Sequence, residues 1–400
     1  AEDGIRDYKV TGVQTCALPI CNLEKLKIAL TYGADAVYVG TSLFGLRKYA
    51  PNFTLSELRH GIEFAHQRNK RVYIVLNSFA HTHTMDTLPD MIDALAALNP
   101  DAFIISDRGV FELARARCSV PLHVSTQASV TNAAGCAYWK AAGAKRIILA
   151  REVSIAACTA ILDHVPIELE IFIHGAMCAS YSGKCVISNY TAARDSNRGG
   201  CVQSCRHRFG VHTATATTGE AHIMNAQDLM GIHHIKSIVS AGIHSVKIEG
   251  RMKSNLYVAQ VSRLYRQAID RIVQDPESNC NDLENELETV SNRTFSDGFL
   301  DQRQTACNTQ FTQYSKSLHF LGTVQALDAT YAYVHLKQPF TTDTPMQWIT
   351  PTGTHTAVIK SVTNAANMPL TAADLKPNCL IKVERTADIV PYSILTQPVL

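Results

Sequence analysis

Four of the chain's twelve cysteines fall between positions 178 and 205, within IHGAMCASYSGKCVISNYTAARDSNRGGCVQSCRHRF. Cys178, Cys185, Cys201 and Cys205 follow a C-x6-C-x15-C-x3-C spacing. Four thiols gathered in this way can hold a metal or carry out redox chemistry. Structural zinc is usually gripped by cysteine pairs with about two to four residues between them, which the x6 pair fits poorly. An iron–sulfur cluster is larger than one ion and accepts wider, more varied spacing. A 4Fe-4S cluster is therefore the favoured occupant, with zinc or unligated thiols as alternatives. Glycines at 175, 183, 199 and 200 let backbone approach the sulfurs and leave amides free to hydrogen-bond them. The same segment holds Lys184, Arg194, Arg198, Arg206 and Arg208 against Asp195 alone, in a chain whose total charge is only +2. Part of that local charge would offset thiolates. The rest favours an anionic substrate such as a phosphate, a carboxylate or an RNA backbone, although a merely solvated basic loop has the same composition.

The elements that must position this loop are legible in the hydrophobic pattern. Short β-branched apolar runs recur at 36–40, 72–77, 102–107, 122–127, 146–151, 169–175 and 245–251. Near-continuous hydrophobicity suits strands covered on both faces, as in a parallel sheet. Helical patterns separate them, at 22–33, 54–67, 86–98, 109–117, 131–142, 154–164, 225–240 and 254–273. Thr54-Leu-Ser-Glu57 has the form of a capping box. Two architectures accommodate this alternation, a doubly wound open sheet and a closed (β/α) barrel. No Gly-x-Gly-x-x-Gly follows any strand, which weakens the dinucleotide-binding version. The expectation is an α/β fold, a TIM-like (β/α) barrel over 21–275 with a Cys-rich insertion at 176–222.

Such barrels place their chemistry at the C-terminal ends of the strands. Polar residues gather there: Asn77, Asp107, Gln127, Arg151, Glu152, His174, Glu249 and Arg251. Any one of them could be a simple cap or structural hydrogen bond. Cys178 lies three residues past Gly175, so the thiols belong at the same rim. Candidate catalytic or pocket groups are Asn77, His81, His174 and Glu249. Candidate substrate binders are Gln127, Arg151, Arg251, Arg206 and Arg208.

Composition bounds the rest. The chain has 400 residues, 46% of them hydrophobic and 18% charged, which excludes general disorder. No run approaches the ~18 apolar residues of a membrane helix, so no membrane partner is expected. With so small a net charge there is no global basic field, and any RNA site must be local. The eight remaining cysteines are too scattered for a disulfide scaffold, which favours a reducing, cytoplasmic setting. Residues 1–20 show no clear period and also resemble the translation of a sequencing adapter. They are set aside as non-native, and the first barrel strand is expected to be missing or replaced. An unstructured terminus or a strand of unusual composition are the plainer alternatives. Beyond 275 the rhythm changes: 276–315 reads as a linker with a short helix at 282–290. Residues 316–400 read as short strands of a small β-barrel domain, and HTATATTG at 212–219 as a surface loop.

The run ELEIFIHGAMCASYSGKCVIS (168–188) resembles the signature of the collagenase-like peptidase family U32. The likeness extends over YGADAVYVG (32–40), the region of Asn77 and His81, HVSTQA (123–128), RIILARE (146–152), NAQDL (225–229), VKIEGRMKS (246–254) and SNRTFSDGF (291–299). It covers roughly residues 21–300. Despite its name, the family is best represented by RNA- and quinone-modifying proteins with oxygen-sensitive iron–sulfur clusters. The resemblance implies that Cys178, Cys185, Cys201 and Cys205 ligate the cluster. It implies tRNA as partner and 5-hydroxyuridine formation at the wobble position with prephenate as co-substrate; an electron-donor protein is a further partner that such redox chemistry could use. Other members implied by the same likeness hydroxylate a 23S rRNA cytidine or a ubiquinone precursor. The family's first strand ends in Pro-Ala-Gly, which this sequence lacks. A zinc-stabilised, non-catalytic RNA-binding protein is the reading from another class. Peptidase chemistry finds little support: no His-Glu-x-x-His and no Gly-x-Ser-x-Gly occurs, leaving only an imagined Cys178–His174 pair.

Overall fold

Eight strands pair in parallel around one continuous ring in the computed structural model. The structure describes residues 14–41, 44, 52–212, 217–250, 253–301, 307–312, 314 and 317–399. The first seven strands are β1 (Gln14–Ile20), β2 (Ala36–Gly40), β3 (Arg71–Leu76), β4 (Ala102–Ile105), β5 (Leu122–Val124), β6 (Arg146–Ile148) and β7 (Glu168–Ala176). Each pairs with the next. After a hairpin, β8 (Phe209–His212) and β9 (Thr217–Ala221), come β10 (Asp228–Met230), β11 (Ser245–Ile248) and β12 (Phe295–Ser296). β11 pairs in parallel with both β1 and β7, so the two edges of the seven-strand series meet through it.

The first-strand position, expected to be missing or replaced, is taken by Gln14–Ile20. Its place is set by β2 and β11, whose backbone edges both require a partner, rather than by a pattern of its own. The helix expected over 225–240 begins instead with β10, antiparallel to β7, and the helix proper is Ile235–Ser240. The 212–219 run, expected to be a loop, begins and ends in the β8–β9 hairpin; residues 213–216 lie outside the described set.

Local sequence explains most of the connections. Side chains of Asn22, Thr54, Asp107, Asn132, Ser154 and Ser254 each accept a backbone N–H in the first turn of the helix that follows. The Thr54–Glu57 capping box forms with both of its bonds. The apolar strand residues and inward helix faces make one large core.

The ring interior also holds charge. Glu170 is fully buried, accepts from the Tyr38 hydroxyl, and lies 3.5 Å from Arg146 Nη1 and 3.9 Å from Lys247 Nζ. Lys247 Nζ sits 3.6 Å from the Tyr38 ring centroid, and His123 packs edge-on to Tyr73. His123 and His174 are both buried. Burial, with Arg146, Lys247 and Arg71 nearby, holds His123 well below its ordinary range, and burial with Lys253 takes His174 to about 3. Both stay neutral in the fold, whereas an unfolded chain binds their protons near pH 6.5. Their stabilising contribution is therefore complete above pH 6.5 and lost as pH falls toward the folded values. Urea midpoints at pH 5 should show a loss of about 2 kcal/mol per histidine relative to pH 7. A His174→Asn variant should have a shallower pH slope, and an unchanged slope would refute this assignment.

The C-terminal strands are β13 (Leu318–Leu327), β14 (Tyr331–Leu336), β15 (Pro345–Ile349), β16 (Thr354–Val358), β17 (Leu380–Glu384) and β18 (Ile394–Pro398). They form an antiparallel sheet in the order β16-β15-β18-β13-β14-β17 over its own small core. Among the described residues its end strands β16 and β17 do not pair, so the small β-barrel expected over 316–400 takes the form of a curled, open half-barrel sheet. It covers the outer face of helix Asn255–Gln274. Tyr32 donates to the Ile349 carbonyl at 2.6 Å, and Asn255 donates to Thr323 at 3.2 Å across that junction. No described helix is long and apolar enough to cross a membrane.

Candidate metal centre and substrate cavity

A cavity of about 470 Å³ opens where the C-terminal ends of the ring strands meet the cysteine loop. Tyr38, Val75, Phe172 and Lys247 line it from the strands. Asn77, Gln127, Arg151 and Glu249 line it from the residues just past β3, β5, β6 and β11. Cys178, Cys185, Cys201 and Cys205 line the same cavity from the loop.

Glycine makes the docking of that loop possible. Gly175 has φ +104°, and a Cβ there would come within 2.2 Å of the Glu249 carbonyl oxygen. Gly183, at φ +76° between Cys178 and Cys185, would put a Cβ 2.1 Å from the Gln127 carbonyl oxygen. Both backbones thus rest directly on the strand ends, a closeness that any side chain forbids. Ser182 is the adjacent anchor. Its hydroxyl accepts from the Arg151 amide at 3.0 Å, its amide donates to Glu152 Oε1 at 3.0 Å, and its carbonyl accepts from the Ser129 hydroxyl at 2.5 Å. Arg206 ties the far end of the loop to the near end. It donates to the Met177 carbonyl at 2.6 Å, to Asn225 Oδ1 at 2.7 Å and to the Ala226 carbonyl. Cys205 and Cys178 are each one residue from that brace.

Burial raises the Cys205 thiol above its ordinary range, Arg206 opposes the rise, and Cys178, Cys201 and Cys185 each add to it. All four are free thiols. Among the described residues Glu249 is the one carboxylate lining the cavity, against four thiols, a predominantly soft donor set suited to iron–sulfur or zinc chemistry rather than to hard cations. Among the described residues, no three His, Cys, Asp or Glu side chains are grouped closely enough to hold a single ion.

The other lining charges are basic: Arg151, Arg194, Arg206, Lys247 and Arg293. Arg151 lies with its guanidinium 4.0 Å from the Phe172 ring centroid. Its Nε and the Asn77 Oδ1 are buried without a protein partner among the described residues, while Asn77 Nδ2 donates to Ser125 at 3.2 Å. Arg293 is paired with buried Asp228 at 3.1 Å.

Not every anticipated residue arrives at this cavity. His174 is buried among Tyr257, Tyr265 and Phe295, with Nδ1 3.2 Å from the Tyr265 hydroxyl. Strict alternation would place it on the same face as Glu170 and Phe172. A register shift in the β7–β11 pairing, where Phe172 opposes Lys247 and His174 opposes Ile248, turns it outward instead. His81 stands exposed at a helix start, its Nδ1 3.4 Å from Arg198, and Arg208 pairs with Glu220 beside the hairpin at 3.8 Å; neither lines the cavity. Both sit on loop segments whose course sequence periodicity does not describe. Arg251 lies outside the described residues. Conversely, Tyr38, Lys247 and the Glu170 beneath them were passed over. The available signal was a charged residue at an inward position of an otherwise apolar strand, in LEIFIHG and SVKIEGR.

The ring, the loop and its quartet together define a member of an established family: the chain belongs to peptidase family U32, whose model matches residues 21–310. It is 41% identical over 333 residues to the "tRNA hydroxylation protein P1" of Bacillus subtilis, covering 80% of this chain and 79% of that protein. It is 33% identical to the Escherichia coli "23S rRNA 5-hydroxycytidine C2501 synthase", over 62% of this chain and 38% of that protein. A Porphyromonas gingivalis protein named "Collagenase" is 31% identical, with 71% of this chain and 73% of that protein covered.

Proposed function

We propose that this chain is an RNA-modifying enzyme that hydroxylates the wobble uridine of tRNA at carbon 5, using a 4Fe-4S cluster on Cys178, Cys185, Cys201 and Cys205 and prephenate as co-substrate. The scaffold is read as a (β/α) barrel of the TIM kind, working in the cytoplasm and receiving electrons from a donor protein. The observation that carries this reading is the shared cavity, in which four free thiols face basic and amide groups at the C-terminal strand ends. The relatives named for tRNA and rRNA hydroxylation support it.

Replacing C5–H by C5–OH removes two electrons from the base and adds one oxygen atom, so an oxygen-donating co-substrate must be reduced as the base is oxidised; a bound cluster would pass electrons singly in that exchange. The chain's own residues bind and orient. Arg151 and Lys247 offer cationic donors to substrate oxygens, Asn77 offers an acceptor, and the Phe172 and Tyr38 rings provide apolar walls. The loop closes over them and limits water.

Peptidase chemistry is disfavoured by placement. His174, the only histidine close to Cys178 in sequence, is buried among aromatic rings with Nδ1 on Tyr265, whereas Cys178 is exposed at the cavity. The rRNA relative keeps ribosomal cytidine as a second substrate reading. Nucleoside analysis of tRNA and rRNA from a strain lacking the gene separates the two. Loss of 5-hydroxyuridine derivatives from tRNA with rRNA unchanged is the expected result. Intact tRNA 5-hydroxyuridine would overturn the proposal.

A further inference from the structure

We infer that Tyr181 and Tyr190 form a stacking platform at the cavity entrance that grips unpaired RNA bases flanking the base to be modified. The inference rests on the RNA reading above and goes beyond it by assigning the surface that holds the strand.

Both tyrosines lie in the loop between Cys178 and Cys201, and both rings are displayed to solvent. Tyr181 is 60% exposed and also lines the cavity; Tyr190 is 87% exposed, and Val186 between them is 51% exposed. Exposed apolar groups scattered singly are ordinary, but three within ten residues of one loop, whose Tyr181, Cys185 and Ile187 line the cavity, are not.

Their backbones are not loose. Ser182, next to Tyr181, is buried and makes the three hydrogen bonds to the strand ends described above. Around Tyr190, buried Ser188 accepts from the Val202 amide at 3.2 Å, and Asn189 Oδ1 accepts from the Ser196 amide at 3.0 Å. Thr191 and Ser204 hydroxyls meet at 2.6 Å. The fold holds the main chain firmly while pointing the rings outward, which is the pre-organisation a stacking surface needs.

Charge selects the occupant. Lys184 is exposed between the two tyrosines, and Arg194 and Arg198 follow them. The loop's single carboxylate, Asp195, accepts from the Asn197 amide at 3.0 Å. Rings interleaved with cations suit single-stranded nucleic acid, whose bases stack while its phosphates are neutralised. A cavity of about 470 Å³ accepts a single nucleotide's base rather than a duplex, so the neighbouring bases must lie unpaired outside it.

The test measures binding, by fluorescence anisotropy, of the full-length protein to a synthetic, unmodified anticodon stem-loop with uridine first in its anticodon. A fully paired hairpin of equal length is the control. Wild type should prefer the stem-loop. Tyr181→Ala and Tyr190→Ala should each weaken stem-loop binding about tenfold, with hairpin binding unchanged. Tyr181→Phe and Tyr190→Phe should retain affinity, because the ring is what stacks. Alanine variants that bind the stem-loop like wild type would overturn the platform while leaving the RNA reading intact. Wild type that binds neither RNA would overturn the RNA reading and the platform with it. Alanine variants with normal RNA affinity but impaired electron delivery would assign the surface to a protein partner and also overturn it.

Discussion

Cys205→Ser protein, isolated without air, should be colourless, hold no stoichiometric iron and form no hydroxylated nucleoside. The four thiols line one cavity, and each of the other three bears on the Cys205 proton affinity. A serine hydroxyl is a hard, weakly acidic donor and a poor substitute for thiolate on iron. Ligands that act as a unit fail together, so one substitution should cost as much as four, at least ~10³-fold in product formation. The strand ring should survive. Arg206 keeps its bonds to Met177, Asn225 and Ala226, and no core side chain changes. Visible absorption, iron content and thermal midpoint measured on the same sample decide the matter. Wild-type protein that purifies colourless with one zinc would remove the cluster from the proposal. So would a Cys205→Ser variant that keeps its iron.

The second large effect is on stability. Glu170→Ala should destabilise the ring by roughly 3–5 kcal/mol, the usual cost of removing one partner from a buried ionic group. It would remove the carboxylate that faces Arg146 and Lys247 and accepts from Tyr38. Arg146 would retain Glu168 at 2.7 Å, but Lys247 would lose the buried carboxylate at 3.9 Å. Glu170→Gln should cost less, because an amide oxygen can still accept from Tyr38. Urea unfolding followed by circular dichroism gives the difference. A Gln variant as stable as wild type would show that the charge contributes nothing. Because Lys247 and Tyr38 also line the cavity, the Ala variant should lose activity even where it remains folded.

The electrostatics of the site reinforce one another. Basic side chains around the cavity would lower the cost of bringing four thiolates together and would attract a polyanion to the same place. The buried carboxylate beneath holds Lys247 at the cavity rather than leaving it to snorkel outward.

Much of this was present in the order of residues. Strand and helix periodicity, the Thr54–Glu57 cap, the Cys quartet and the polar residues just past the strands are local signals, and local chemistry sets them. Asn77, Gln127, Arg151 and Glu249 could be placed near the loop because a parallel ring sends all its strand ends to one rim. Other features depended on contacts between distant segments. The outward turn of His174 needs a register shift against β11, which no pattern within β7 records. The place of Gln14–Ile20 is dictated by the two edges it joins. The role of Gly183 is visible only when its backbone meets Gln127, and that of Arg206 only when the loop returns to Met177. Periodicity reports which face a residue prefers, but which partner fills the space across from it is settled by closure of the chain on itself, and the cavity exists only after that closure.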